Sequence, residues 1–222
     1  MKIFLDTADT EFILKYLPTG TIDGVTTNPS LICKSGRDPE EVYKELLEAE
    51  PDGAARLQSV SMEVSGTYEE MLEEGRRLGK KFGEFGTIKV PCTKDGLAVC
   101  RVLSNEDIDV NVTLIFTLSQ AILALRAGAR YISPFVGRLD DQGGDGTKLI
   151  DQIREMMCRE GLHNSQIIAA SIRTVAQAEA SWLAGAHIIT VPPKVYEDMH
   201  NHILTDKGLE IFDNDWKTVQ SR

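Results

Sequence analysis

Aromatic residues are scarce in this sequence, at 6% of 222 positions, and cysteines number only four. Cys33, Cys92, Cys100 and Cys158 have no metal-type spacing and are too sparse for a disulfide scaffold, so a reducing cytoplasm is the expected setting. No apolar run approaches the ~18 residues that would span a membrane. The opening Met1-Lys2-Ile3-Phe4-Leu5-Asp6 meets an acid too early for a signal peptide's apolar stretch, so no secretory leader is expected. Low-complexity tracts are absent, and the 42% hydrophobic content fills a core, which excludes a disordered chain. No Gly-x-Gly-x-x-Gly follows the first apolar run, and neither a Gly-x-Ser-x-Gly elbow nor a His-Glu-x-x-His pair occurs.

Basic residues are also in deficit. Lys and Arg total 24 against 34 Asp and Glu, a net charge of −10, with no block of like charge longer than three residues. Such a surface repels nucleic acid and anionic lipid, so neither is an expected partner. A phosphorylated substrate would need a local cluster of arginine or lysine to overcome that field.

What is present is a repeated alternation. Short β-branched runs predict strands at Lys2–Ala8, Ile22–Asn28, Leu57–Ser65, Gly86–Thr93, Asp109–Phe116, Ala129–Val136, Gln166–Ile172 and Ala186–Val191. Helical patterns lie between them at Asp9–Leu17, Pro39–Glu50, Tyr68–Phe82, Lys94–Ser104, Leu118–Ala127, Asp145–Arg159, Thr174–Ala184 and Pro193–Ile203, with a tail helix over Asp206–Arg222. Asp9 and Thr174 are candidate N-caps, and Gly128 and Gly185 stand where helices should end. Eight strand–helix units without a linker predict an α/β fold, a single (β/α)8 TIM barrel over residues 1–222 with an extra C-terminal helix. An open doubly wound sheet is the alternative.

Barrel enzymes place their reacting groups at the C-terminal ends of strands. Seven of the eight expected strands carry a polar group near the exit: Asp6, Asn28, Glu63, Lys89, Asn111 with Thr113, Ser133 and Ser171. Their bodies are expected to be apolar. Lys89 is the sharpest of these. Buried without a partner, its ammonium would be costly, so either its pKa falls or a carboxylate pairs with it. A neutral lysine attacks carbonyls to form Schiff bases; the plainer alternative is an interior ion pair with Asp6 or Glu63. Those two acids come from different strands and can divide proton work; the alternative for Asp6 is capping the first helix, which Thr7 or Asp9 can also do. Arg138 and Arg173 follow adjacent strands, so both guanidiniums can converge on one phosphate, with Ser171 and the helix start at Thr174 adding donors. His200 and His202, two apart on an expected helix, make a poor metal pair. The Asp140–Gly146 acid loop lacks the terminal Glu of a calcium loop and reads as a turn plus helix start. Cys92 reads as a small core residue.

These strings resemble the transaldolase family, in particular its short, fructose-6-phosphate aldolase-like subfamily. The resemblance rests on Phe4-Leu5-Asp6-Thr7-Ala8, Asp23-Gly24-Val25-Thr26-Thr27-Asn28-Pro29-Ser30-Leu31, Ile88-Lys89-Val90-Pro91-Cys92-Thr93 and Asn111-Val112-Thr113-Leu114-Ile115-Phe116. It continues through Ser133-Pro134-Phe135-Val136-Gly137-Arg138 and Ala169-Ala170-Ser171-Ile172-Arg173-Thr174. It implies a (β/α)8 barrel with a Schiff-base lysine at Lys89 and neither metal nor organic cofactor. Asp6 is then the acid/base at the sugar C4 hydroxyl, and Asn28 orients the lysine and the bound carbon unit. Glu63 and Thr113 hold a catalytic water, Ser133 contacts substrate, and Arg138, Ser171 and Arg173 take the phosphate. Relatives that act as fructose-6-phosphate aldolases and release free dihydroxyacetone tend to carry Gln and Tyr where this chain has Glu63 and Phe135.

The implied activity moves a dihydroxyacetone unit from fructose 6-phosphate or sedoheptulose 7-phosphate to erythrose 4-phosphate or glyceraldehyde 3-phosphate, in the pentose phosphate pathway. Two readings from other classes stand beside it: a metal-dependent barrel isomerase or epimerase, and a non-catalytic sugar-phosphate binding barrel. After Ile203, residues Ile211, Phe212 and Trp216 offer apolar anchors beyond a complete barrel, so packing on a neighbouring subunit is expected. The resemblance implies a homo-oligomer, a ring-like decamer of two pentamers.

Overall fold

A computed structural model of the chain describes residues 1–49 and 57–221. Along the first half run β1 (Lys2–Asp6), α1 (Thr10–Tyr16), β2 (Gly24–Thr26), α2 (Pro29–Ser35), α3 (Pro39–Glu48), β3 (Ser59–Glu63), α4 (Tyr68–Phe82), β4 (Gly86–Pro91) and α5 (Lys94–Asn105). The second half adds β5 (Val110–Ile115), α6 (Leu118–Arg126), β6 (Tyr131–Pro134), α7 (Val136–Asp140), α8 (Gly146–Arg159), β7 (Gln166–Ala169), α9 (Val175–Leu183), β8 (Ile188–Val191), α10 (Pro193–Asp198) and α11 (Ile203–Gln220). The strands close in sequence order, all parallel, from β1 round to β8 and back to β1. This is the expected (β/α)8 barrel with its extra C-terminal helix. No described helix is long and apolar enough to cross a membrane.

Strand alternation separates two environments. Outward-facing Leu5, Val25, Val60, Met62, Ile88, Val90, Val110, Val112, Ile132, Ile167 and Ile189 join the buried helix faces in the main core. Inside the barrel, Phe4, Tyr131, Ile168 and Ile188 form a small apolar plug toward the strand starts. Gly24 makes room for it, since a Cβ there would stand 2.6 Å from the Phe4 ring. The rest of the lumen is polar, beside the plug as well as above it. Ser59 and Thr87 share a hydrogen bond of 2.8 Å, Thr26 and Thr190 one of 2.6 Å, and Ser61, Asn111, Thr113 and Ser133 are all buried there. The strands were expected to be apolar through their bodies and polar at their exits; instead the inward positions are polar well below the exits.

Helix starts follow local chemistry. Asp9 caps α1 by accepting from the Phe12 N–H, and Thr174 caps α9 by accepting from Gln177. Asp6 is therefore not spent on capping. Gly128 and Gly185 follow the caps of α6 and α9 at φ +95° and +97°. Strands end earlier than expected because the chain leaves the ladder to cap the next helix: Asn28 caps α2 and Phe135 precedes α7. Two short helices, α2 and α7, were not expected. α10 stops at Asp198, so His200 and His202 lie off the helix assigned to them; His200 stacks on Tyr16, and His202 caps α11 by accepting from Leu204, which starts the tail helix at Ile203. The expected end of the helix at Glu50 lies outside the described residues. Asp140–Gly146 is a turn and helix start, with Asp145 capping α8.

Candidate active site

Parallel register brings Glu63, Lys89 and Asn111 into one row across β3, β4 and β5, with Asp6, Thr26 and Ser61 in a row across β1, β2 and β3. Neighbours in such a row point to the same side. The shared side is the lumen, where a cavity of about 100 Å³ opens toward the strand ends. Asp6, Thr26, Asn28, Lys89, Thr113, Ser133, Phe135, Arg138, Ser171 and Thr190 line it. Eight of the ten residues singled out from sequence thus meet at one cavity. Glu63 reaches it through Lys89, and Arg173 stands outside its wall.

Lys89 is 6% exposed. Its Nζ donates to the Thr27 carbonyl at 2.9 Å and lies 2.9 Å from Glu63 Oε2. The interior ion pair considered from sequence is therefore formed, with Glu63 as partner. A buried ammonium needs this company, because removing one partner would leave the other charge desolvated. The carboxylate that holds the ammonium is also the nearest group able to take its proton.

Asp6, from β1, lines the same cavity as the lysine. Burial pushes its carboxyl above the ordinary value of 3.8; the Lys89 charge and the hydrogen bond from Thr26 pull it back in part, while the Glu63 charge adds to the rise. Thr26 Oγ1 donates to Asp6 Oδ1 at 2.8 Å. Having one proton to give, Thr26 receives from Thr190 Oγ1 at 2.6 Å when Asp6 is ionised. This Thr190–Thr26–Asp6 chain fixes the carboxylate from below. Neither threonine was singled out, and Thr190 supplies the eighth strand's polar group. Alternation within Ile188-Ile189-Thr190-Val191 marks it in retrospect.

Ser133 Oγ donates to Asn111 Oδ1 at 2.7 Å, and Asn111 Nδ2 donates to Ser61 Oγ at 3.3 Å. With its proton committed, Ser133 offers lone pairs to a ligand. Thr113 Oγ1 is buried without a hydrogen-bond partner among the described residues, so its full capacity faces the cavity. Asn28 spends its Oδ1 on the Leu31 N–H at 3.0 Å. It lines the cavity, but the contact to Lys89 comes from the carbonyl of the preceding Thr27.

At the mouth, Arg138 lies over the Phe135 ring at 4.8 Å, and Phe135 meets Phe116 edge-on at 5.6 Å. A stacked guanidinium keeps its donors directed sideways. Ser171 adopts φ +59°, an uncommon conformation for a residue with a side chain. Its carbonyl accepts from the Gly137 N–H at 3.1 Å, tying the β6 and β7 exits together. Arg173 Nη1 is 2.5 Å from Asp141 Oδ1 at the protein surface.

A lysine and two carboxylates in a barrel mouth bordered by arginine can support proton transfer and nucleophilic attack beside an anionic group. The family model described as transaldolase/fructose-6-phosphate aldolase matches residues 3–222. The chain belongs to that family. Among similar proteins, a probable transaldolase of Dinoroseobacter shibae is 50% identical over 98% of this chain and 97% of its own length. A probable transaldolase of Aquifex aeolicus is 47% identical over 100% and 99%. A third, from Caulobacter vibrioides, is 46% identical over 99% and 98%. The chain is thus an enzyme of the transaldolase/fructose-6-phosphate aldolase family, matched along its whole barrel and tail.

Proposed function

We propose that this enzyme is a transaldolase that carries a dihydroxyacetone unit on Lys89. The observation that carries the reading is the position of Lys89: a buried amine in the wall of the barrel-mouth cavity, 2.9 Å from a carboxylate. Ketose phosphate binds with its phosphate toward Arg138 and Arg173. Glu63 takes a proton from Lys89, and the freed amine adds to the C2 carbonyl. Glu63, with a water held at the Thr113 hydroxyl, returns protons so that the carbinol oxygen leaves as water. The resulting iminium draws electrons from the C3–C4 bond while Asp6 takes the C4 hydroxyl proton. An aldose phosphate departs, and the three-carbon enamine stays on Lys89 until an acceptor aldehyde arrives. Burial raises the basicity of Asp6, which suits it to that proton transfer.

Glu63 and Phe135 favour transfer over release of free dihydroxyacetone. A carboxylate against Lys89 and a phenyl ring in place of a phenol leave no hydroxyl at Phe135 to protonate the waiting enamine. The test is a coupled assay of glyceraldehyde 3-phosphate formation from fructose 6-phosphate, with and without erythrose 4-phosphate. Formation that depends on the acceptor is expected. Equal rates without acceptor would make the enzyme an aldolase, and absence of product in both would overturn the reading.

The tail supports a second proposal. α11 buries none of its residues, and Ile203, Leu204, Leu209, Ile211, Phe212, Trp216 and Val219 are all more than half exposed. A helix of 18 residues with that much uncovered apolar surface is unstable alone in water. A second copy of this chain, offering the same surface, is the partner we assign to it, in an assembly that works in the cytoplasm.

A further inference from the structure

The acidic stretch from the end of α7 to the start of α8 has no part in the reaction above. Asp140 Oδ1 accepts from the Gly146 N–H at 2.8 Å, and its Oδ2 accepts from Gln177 Nε2 at 2.8 Å. Gln177 Oε1 in turn accepts from the backbone N–H of Arg173 at 2.9 Å. Arg173 is thereby anchored through its main chain. Its side chain lies along Gly137, where an added Cβ would stand 3.2 Å from Arg173 Nε and 3.3 Å from its Cγ. These contacts hold the guanidinium stem against the residue next to Arg138 without help from Asp141. Asp141 nonetheless pairs with the guanidinium, 2.5 Å from Nη1. Among the described residues Arg138 has no carboxylate partner of its own, so the two arginines are not equally free.

We propose that Asp141 is a resident counter-anion of the phosphate site, setting how tightly and how selectively that site takes a phosphate ester. This rests on the assignment of Arg138 and Arg173 as phosphate anchors. Asp141 occupies Arg173 in the structure. A phosphate ester brings a charge of about −1.5 to −2 and three strong acceptor oxygens, enough to displace or share the arginine against one carboxylate. A singly charged ligand lacks that advantage. Asp141 therefore weakens all anions but weakens monoanions most, and acts through Arg173 as a specificity-determining residue.

The test is binding of inorganic phosphate, followed by calorimetry, together with steady-state kinetics on fructose 6-phosphate and on unphosphorylated fructose. Asp141→Asn should bind phosphate about two- to five-fold tighter, the range expected for releasing one half-exposed pair. KM for fructose 6-phosphate should fall by a similar factor, while kcat and KM for fructose stay unchanged. Asp145→Asn is the control, because it removes the same charge from the same loop while asparagine still caps α8; it should match wild type. Phosphate affinity that is unchanged or weaker in Asp141→Asn overturns the proposal, as does equal tightening in Asp145→Asn. Failure of the underlying assignment looks different: wild-type enzyme would then show no phosphate binding sensitive to Arg138→Ala, and the proposal falls with it.

Discussion

Lys89 and Asp6 share a lumen but carry opposite burdens. Lys89 is accompanied by Glu63 and the Thr27 carbonyl, whereas Asp6 carries a desolvation cost that Lys89 and Thr26 offset only in part, which raises its carboxyl. Below pH 3.8 the Asp6 group is protonated whether the chain is folded or not, and no cost arises. As pH rises past that value the unfolded chain ionises first, so folding stability is lost until the folded group has ionised as well. Asp6→Asn should therefore be more stable than wild type at neutral pH, with the difference vanishing in acid, as thermal unfolding across pH would show. The same variant should lose about 10²–10⁴-fold in kcat, the usual worth of a general base. A variant destabilised at neutral pH would show that Asp6 is held by its partners rather than strained by burial. At this scale the sequence was most readable where a charge interrupts an apolar run, as at Lys89 and Glu63. Thr26 and Thr190 stayed hidden because threonine is an ordinary strand residue. The pairing of Arg173 with Asp141 was illegible for another reason: it joins loops after different strands.

Among the elements, the paired β6 and β7 exits form the more demanding construction. Gly137 sends its N–H to the Ser171 carbonyl, and a Cβ at Gly137 would stand 2.3 Å from that oxygen. Gly137→Ala should thus force the exits apart, with a stability loss of about 1–3 kcal/mol by thermal denaturation. KM for fructose 6-phosphate should rise more than KM for fructose, since Arg138 and Ser171 would separate. All eight strands were legible because their outward faces alternate Val, Ile and Leu toward the helices. Their ends were not, since an apolar residue before a cap looks the same in the ladder or just beyond it. α2 and α7 were not legible because each begins directly at a strand exit, capped at Asn28 and preceded by Phe135, so their residues read as strand ends and loop.

Over the whole molecule, a net charge of −10 and an uncovered tail helix pull in different directions. Like charge opposes self-association, so in the assembly proposed above the apolar face of α11 has to supply the attraction. Phe212→Asp combined with Trp216→Asp should dissociate the assembly in sedimentation velocity while circular dichroism remains that of a folded barrel. An unaltered sedimentation coefficient, or a monomeric wild type, would contradict the assigned partner. The barrel's closure and the tail's exposed anchors could both be anticipated from the order of patterns along the chain; the polar lumen could not, because closure decides which side of each strand faces inward. The account as a whole turns on one covalent bond. Borohydride added to enzyme turning over fructose 6-phosphate should leave the intact chain heavier by a reduced three-carbon unit, mapped to the peptide bearing Lys89 and absent from Lys89→Ala. Recovery of the unmodified chain, or full activity in Lys89→Ala, would contradict it.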